Sequence, residues 1–268
     1  SRTLSEAMKG NKNAEGKHDY PVNPEAHLLS AEEFNLKYGK SVDPKDLPIW
    51  KVTDKFGNVD MTKLTDEQKK YVESSKHFVK DGEVYTNVVN YASGNIREKL
   101  NALNPNDPEY SLKKSLLEEV CPPEKKIGQF TLSPITDWAR EYKTKDGMSL
   151  IDGFFNWAYN GNGYYSASES PIAREEIPAE INFNDIKSFI NKEQLRLDRG
   201  EAGTDDKKEA QRYRERKKQL RRDTAIKLFN RYLREGLGIE DQKDLTEAWN
   251  LKSNSFVNPD YTKIPIFV

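Results

Sequence analysis

The sequence predicts a mainly α-helical protein, an irregular multi-helix arrangement with one or two small β-hairpins in its N-terminal third and one long basic helix. Three observations predict it. Serine and threonine stand at capping-box spacing ahead of apolar-periodic runs, a pattern that marks helix starts. Short β-rich runs around glycine turns are confined to the part of the chain before about residue 91. A helical pattern continues from about 205 to 235, a length that spans roughly 45 Å at 1.5 Å per residue.

In chain order, residues 1–28 are poor in aliphatics and punctuated by Gly, Asn and Pro, so an irregular arm is expected. An N-terminal lobe follows over 29–125. Ser30 and Glu33 have capping-box spacing at the head of AEEFNLKYG, a short helix ended by Gly39. IWKVTDKFGNVDM, residues 49–61, alternates apolar and polar residues around Phe56-Gly57-Asn58 and reads as a small hairpin. Thr65 and Gln68 repeat the capping box before DEQKKYVESSKHFV, a helix of about three turns. In FVKDGEVYTNVVNY, residues 78–91, a Lys-Asp-Gly turn joins two short strands. The helix expected over 94–103 has Ser93 or Asn95 to accept from its first free backbone N–H groups. After the loop NPNDPEY, a helix from about 110 to 119 stops before Pro122 and Pro123, and a division between lobes is expected near 122–130.

The helical lobe, 126–268, opens with Ser133-Pro134 starting PITDWAREY, proline holding the favoured first position. SLIDGFFNWAY, residues 149–159, is nearly continuously apolar and reads as a core helix. NGNGYYSASESP, residues 160–171, is a loop. NDIKSFINKEQLRL is amphipathic through Ile186, Phe189, Ile190 and Leu197, and the break DRGEAGTDD precedes the long helix. Gly236 ends that helix, and EDQKDLTEAWNL forms a final short one.

Composition limits the function classes. Only 35% of residues are apolar against 32% charged, a balance that suggests loop-rich segments ordered by a partner. Lys+Arg 43 against Asp+Glu 44 gives a net charge of −1, so any attraction to nucleic acid must be local. One cysteine, Cys121, excludes an internal disulfide framework and points to a reducing compartment. No run approaches a membrane span, and no signal-peptide pattern opens the chain. A chain that starts at Ser1 and stops on IPIFV is expected to be a processed product or part of a larger polypeptide.

No catalytic constellation stands out. His18, His27, His77 and Cys121 show no metal-ligand spacing, so no metal site is expected. No phosphate-binding glycine loop is present, and NGNGYY lacks the strand and helix that would present its N–H groups. Glu67/Lys69, Glu124/Lys126 and Glu141/Lys143 match half of a nuclease pattern, as chance provides in so charged a chain; a metal-dependent nuclease needs such pairs on a central sheet. NPDY, residues 258–261, imitates the base-holding element of amino-group DNA methyltransferases, with Asp260 where proline belongs. We therefore expect no catalytic residues, no cofactor and no small-molecule substrate.

The strongest local signal is KKEAQRYRERKKQLRR, residues 207–222. It holds nine basic and two acidic residues: Lys207, Lys208, Arg212, Arg214, Arg216, Lys217, Lys218, Arg221 and Arg222 against Glu209 and Glu215. It reads as a solvated helix held by intrahelical ion pairs, as a phosphate-contacting surface, or as a site for an acidic protein. Under the phosphate reading the expected contacts are Arg212, Arg216, Lys217, Arg221 and Arg222.

Three stretches together resemble a known family. VYTNVVNYASGNIREKL, residues 84–100, resembles the Tyr-x-Ser-Gly-Asn-hydrophobic-Arg-x-Lys-Leu signature of very large phage and plasmid polypeptides. Those polypeptides combine an adenine-specific DNA methyltransferase region with a Swi/Snf-type helicase motor. Here the signature is carried by Tyr91, Ser93, Gly94, Asn95, Arg97 and Lys99. Residues 228–268 are similar to the segment ahead of that motor, through Trp249 and Asn250 and through Pro259, Asp260 and Tyr261; LSPITDWAREY and FFNWA lie between in the same order. The resemblance covers roughly 70–268. It implies a connecting region without the catalytic loops of either enzyme, in which Arg97 and Lys99 serve as DNA contacts or as fold determinants. The function expected is a DNA-engaging accessory module beside helicase or other phage protein domains. The alternative is a structural or packaged protein of a phage particle. Either reading places the chain in the host cytoplasm or inside the particle.

Overall fold

The computed structural model describes residue 54 and residues 57–160, 168–169 and 171–260. The arm of 1–28, the helix expected after Ser30, most of the loop of 160–171 and Tyr261 lie outside them. The fold is mainly α-helical, with ten α-helices and only small antiparallel sheets among the described residues. Contacts divide the chain into two compact units, one of residues 1–123 with 251–268 and one of residues 124–250.

In the first unit, β1 (Asn58–Val59), β2 (Phe78–Asp81) and β3 (Val84–Asn87) form an antiparallel sheet in the order β1-β3-β2. The β2–β3 hairpin turns at Gly82, whose φ of +64° glycine adopts without the Cβ penalty. Asn58 and Val59 pair with Thr86 and Tyr85, so β1 is a third strand on that hairpin. Helix α1 (Asp66–Ser74) opens with the expected capping box: the Thr65 N–H donates to Gln68, and the Gln68 N–H donates to Thr65. Successive β2 residues point to opposite faces. Accordingly Phe78 packs with Val59, Leu64 and Val72, whereas Val79 packs with Tyr91, Ile96 and Leu117. Ile96 and Leu117 come from α3 (Ile96–Asn101) and α4 (Tyr110–Val120), and Tyr91 from the single turn α2 (Val88–Tyr91). Strand β4 (Gly94–Asn95) pairs with a distant strand, Phe256–Val257.

In the second unit, α5 (Asp137–Glu141) starts three residues beyond the expected Pro134, because Thr136 accepts the Ala139 N–H and acts as the cap. Helix α6 (Leu150–Ala158), capped by Ser149, places Leu150, Ile151, Phe154 and Ala158 in the core. A short ladder, β5 (Tyr159–Asn160) with β6 (Ser168–Glu169), leads to α7 (Pro171–Glu176) and α8 (Phe183–Ile190). Helix α8 ends seven residues short of Leu197. Lys192 turns to a φ of +59°, and Leu195 is buried outside the helix. Helix α9 (Lys207–Glu235) is the long basic helix. It contributes Ala225, Leu228, Phe229, Tyr232 and Leu233 to the core, where the Phe154 ring meets Phe229 edge-on at 5.6 Å. Helix α10 (Ile239–Ser253) adds Leu245, and β7 (Phe256–Val257), in the first unit, is the partner of β4.

Candidate nucleic-acid interface

Helix α9 begins where Asp206 accepts the N–H groups of Lys208 and Glu209 at 2.8 and 2.9 Å, which satisfies two of its four free donors. Its C-terminal half is anchored by the core residues above. Its N-terminal half, residues 207–222, carries the basic cluster and packs along one narrow stripe.

Two of the nine basic residues belong to that stripe. Arg221 is 7% exposed; its Nη1 donates to Ser188 Oγ at 2.9 Å, its Nη2 donates to the Glu193 carbonyl at 3.0 Å, and it lies over the Phe189 ring. Burial pulls its pKa below the ordinary arginine value, against the opposing fields of Asp185 and Glu193. Lys217 is bound to Glu201, which also accepts the Tyr213 hydroxyl at 3.0 Å. The lysine and that hydroxyl hold the Glu201 carboxyl below its usual range. The expected phosphate contacts therefore lose two members, because Lys217 and Arg221 fasten α9 to the segment of 188–201.

The other seven face solvent. Lys207, Lys208, Arg212, Arg214, Arg216 and Arg222 are exposed and have no carboxylate partner among the described residues. Lys218 is exposed and pairs with Glu215 at 3.0 Å. At about 100° per residue these seven sweep an arc of roughly 200°, and the stripe of Tyr213, Lys217, Leu220 and Arg221 fills the remainder. The exposed cations thus share one side of the helix, while Lys217 and Arg221 lie on the packed side. Tyr213, the single aromatic residue in 207–222, stands between two open grooves, both bordered by Arg216.

Of the residues that carry the resemblance, Tyr91 to Lys99 serve the first unit. Tyr91 is 5% exposed, and burial raises its pKa to about 12. Ser93 donates to the Asn90 carbonyl, and Gly94 has a φ of +76°. Asn95, rather than Ser93, caps α3: its Oδ1 accepts the Glu98 N–H at 3.1 Å, and its Nδ2 donates to the Leu251 carbonyl at 2.9 Å. Arg97 donates to the carbonyls of Asn254 and Pro122, and Lys99 donates to the Tyr91 carbonyl at 2.7 Å. Burial lowers the Lys99 pKa. In the second unit Trp249 stacks on Phe130 at 3.9 Å, and Asn250 holds Lys125 through both backbone groups. Pro259 and Asp260 close the described chain.

Among the described residues no group of three or more His, Cys, Asp or Glu side chains could hold a metal ion. Glu67 lies on α1 and Glu141 on α5, and none of the three Glu-x-Lys pairs is on the three-stranded sheet. No helix among the described residues is long and apolar enough to cross a membrane. Glu201, Ser188 and Glu193 carry no sequence signal of their roles, whereas a lone aromatic inside a basic run points to Tyr213. No family model, no curated protein and no solved structure matches the chain.

Proposed function

We propose that the chain is a non-catalytic, DNA-engaging accessory module whose contact surface is the exposed face of residues 207–222. One observation carries this reading: six cations without carboxylate partners lie on a single outward arc of a helix whose other side is pinned. Ion pairs within a solvated helix would leave few such groups. A polyanion gains from them because each phosphate contact releases condensed counterions. The neighbours in this proposal, a methyltransferase region and a helicase motor on one polypeptide, come from the resemblance of 84–100 and 228–268 alone.

Binding to mixed-sequence duplex is expected to be weak and non-specific, with log K falling against log salt by about 0.9 per phosphate contact. Replacing Arg212, Arg214, Arg216 and Arg222 by glutamine should flatten that slope by about three to four units. Helicity should hold, since glutamine is a comparable helix former. Unchanged affinity and slope in that variant would remove the proposal. Contact with another protein then becomes the better account.

A further inference from the structure

Tyr213 is held unlike a core tyrosine. It is half-buried, with Thr204, Arg212, Glu209 and Glu215 lining the groove on one side and Glu180, Leu220 and Asp223 lining the other. Its hydroxyl donates to Glu201 at 3.0 Å, which fixes the far end of the ring, and Lys217 neutralises the carboxylate that does so. Arg212 precedes the ring in sequence and Arg216 follows three positions on, on the neighbouring turn; both are exposed and lack carboxylate partners among the described residues. An oriented aromatic face beside two available guanidinium groups suits an unstacked base and its backbone. The ring takes the base, and the cations take the phosphates. Duplex DNA offers only the phosphates, because its bases are stacked on one another.

We infer that Tyr213, with Arg212 and Arg216, forms a stacking site for an unpaired nucleotide, so that this face prefers single-stranded nucleic acid to duplex. The inference rests on the polyanion-binding reading of the same helix. It also reverses the order that charge alone gives, since a duplex presents the denser line of phosphates and the steeper salt slope.

The test uses the full 268-residue chain with a fluorescent oligothymidylate and a duplex of equal length, each ~20 nucleotides, at matched salt. The oligothymidylate should bind more tightly. Tyr213→Leu should weaken that complex about tenfold or more and leave the duplex complex nearly unchanged. Tyr213→Phe keeps the ring and removes only the hydroxyl, so it should retain the preference. An unchanged oligothymidylate affinity in Tyr213→Leu, or an equal loss on both probes, overturns the stacking site. Photocrosslinking of the unaltered protein to a bromodeoxyuridine-substituted strand gives a readout that needs no variant. The crosslink should map to the peptide containing Tyr213, and crosslinks lying wholly outside 207–222 overturn the site. Binding to neither probe removes the proposed function itself, whereas equal binding to both with a harmless Tyr213→Leu removes only the preference for single strands.

Discussion

Two buried asparagines do similar work on different helices. Asn230 accepts the Leu132 N–H at 2.9 Å and donates to the Leu132 carbonyl at 2.9 Å, with a further bond to Ile226 in its own helix at 2.7 Å. Asn250 treats Lys125 in the same way, at 3.0 and 2.8 Å, and donates to Thr246 at 2.8 Å. Each carboxamide mimics a neighbouring strand, so the two ends of the irregular segment of 125–132, Lys125 and Leu132, have their backbone groups satisfied without joining a sheet. Asn230→Leu keeps the volume and deletes the polar groups, leaving an N–H and a carbonyl buried without partners. Such groups cost about 1–3 kcal/mol each, so urea unfolding of the variant should show a loss of about 2–6 kcal/mol. A loss below about 0.5 kcal/mol would mean that water replaces the carboxamide. Neither role is legible in the sequence. Asn250 is noticeable there only beside Trp249 in a stretch that carries the resemblance, because the segment it holds is remote in the chain and shares no pattern with it.

Between elements, the legible features are those set by neighbours a few residues apart. The caps at Thr65 and Asn95 and the glycine turn of the β2–β3 hairpin are of this kind. The end of α8 is not: the helix stops at Ile190, short of the Leu197 that completes the amphipathic pattern, and the residue buried beyond it is Leu195. Gly153 shows the same limit. It sits within α6, where alanine would be about 1 kcal/mol better for an isolated helix. A Cβ there would collide with the Tyr232 hydroxyl of α9. Burial already raises the pKa of that hydroxyl to about 12. Gly153→Ala is therefore expected to destabilise the protein by about 1–3 kcal/mol, and a gain in thermal stability would show that Tyr232 swings clear.

Helix α7 is tied to α9 through Glu176, which receives Arg231 at 2.7 Å and Lys227 at 3.1 Å. The hydrogen bond from Lys227, followed by that from Arg231, lowers the Glu176 pKa from its ordinary 4.5. A carboxyl with a depressed folded pKa stabilises the protein above its unfolded value and loses that contribution as pH falls through the folded one. Glu176→Gln should therefore be less stable than the parent at neutral pH, and the gap should close as pH drops below 4.5 in urea titrations. A gap that is constant with pH would assign the effect to packing.

Over the whole molecule, the chain leaves its first unit at Pro123 and returns to it at Leu251. The return is built into that unit's bonding. Ser255 accepts the Ile96 N–H at 2.8 Å through its carbonyl and the Arg97 N–H at 2.8 Å through its hydroxyl, and Gly94 and Asn95 pair with Val257 and Phe256. The Pro122-Pro123 break is visible in the sequence. The return is not, because Asn95 and Ser255 meet across 160 positions and no local pattern records it. Residues 124–250, by contrast, contain their entire core, and Asn250 ties their two ends together at Lys125. A polypeptide of 124–250 is therefore expected to be helical by circular dichroism and to unfold cooperatively. A polypeptide of 1–123 should lose the order around β4 and α3. The basic half of α9 travels with 124–250, so that fragment should bind duplex with the same salt slope as the full chain. A fragment that folds but shows a slope shallower by one unit or more would mean that residues 207–222 are not the whole contact surface.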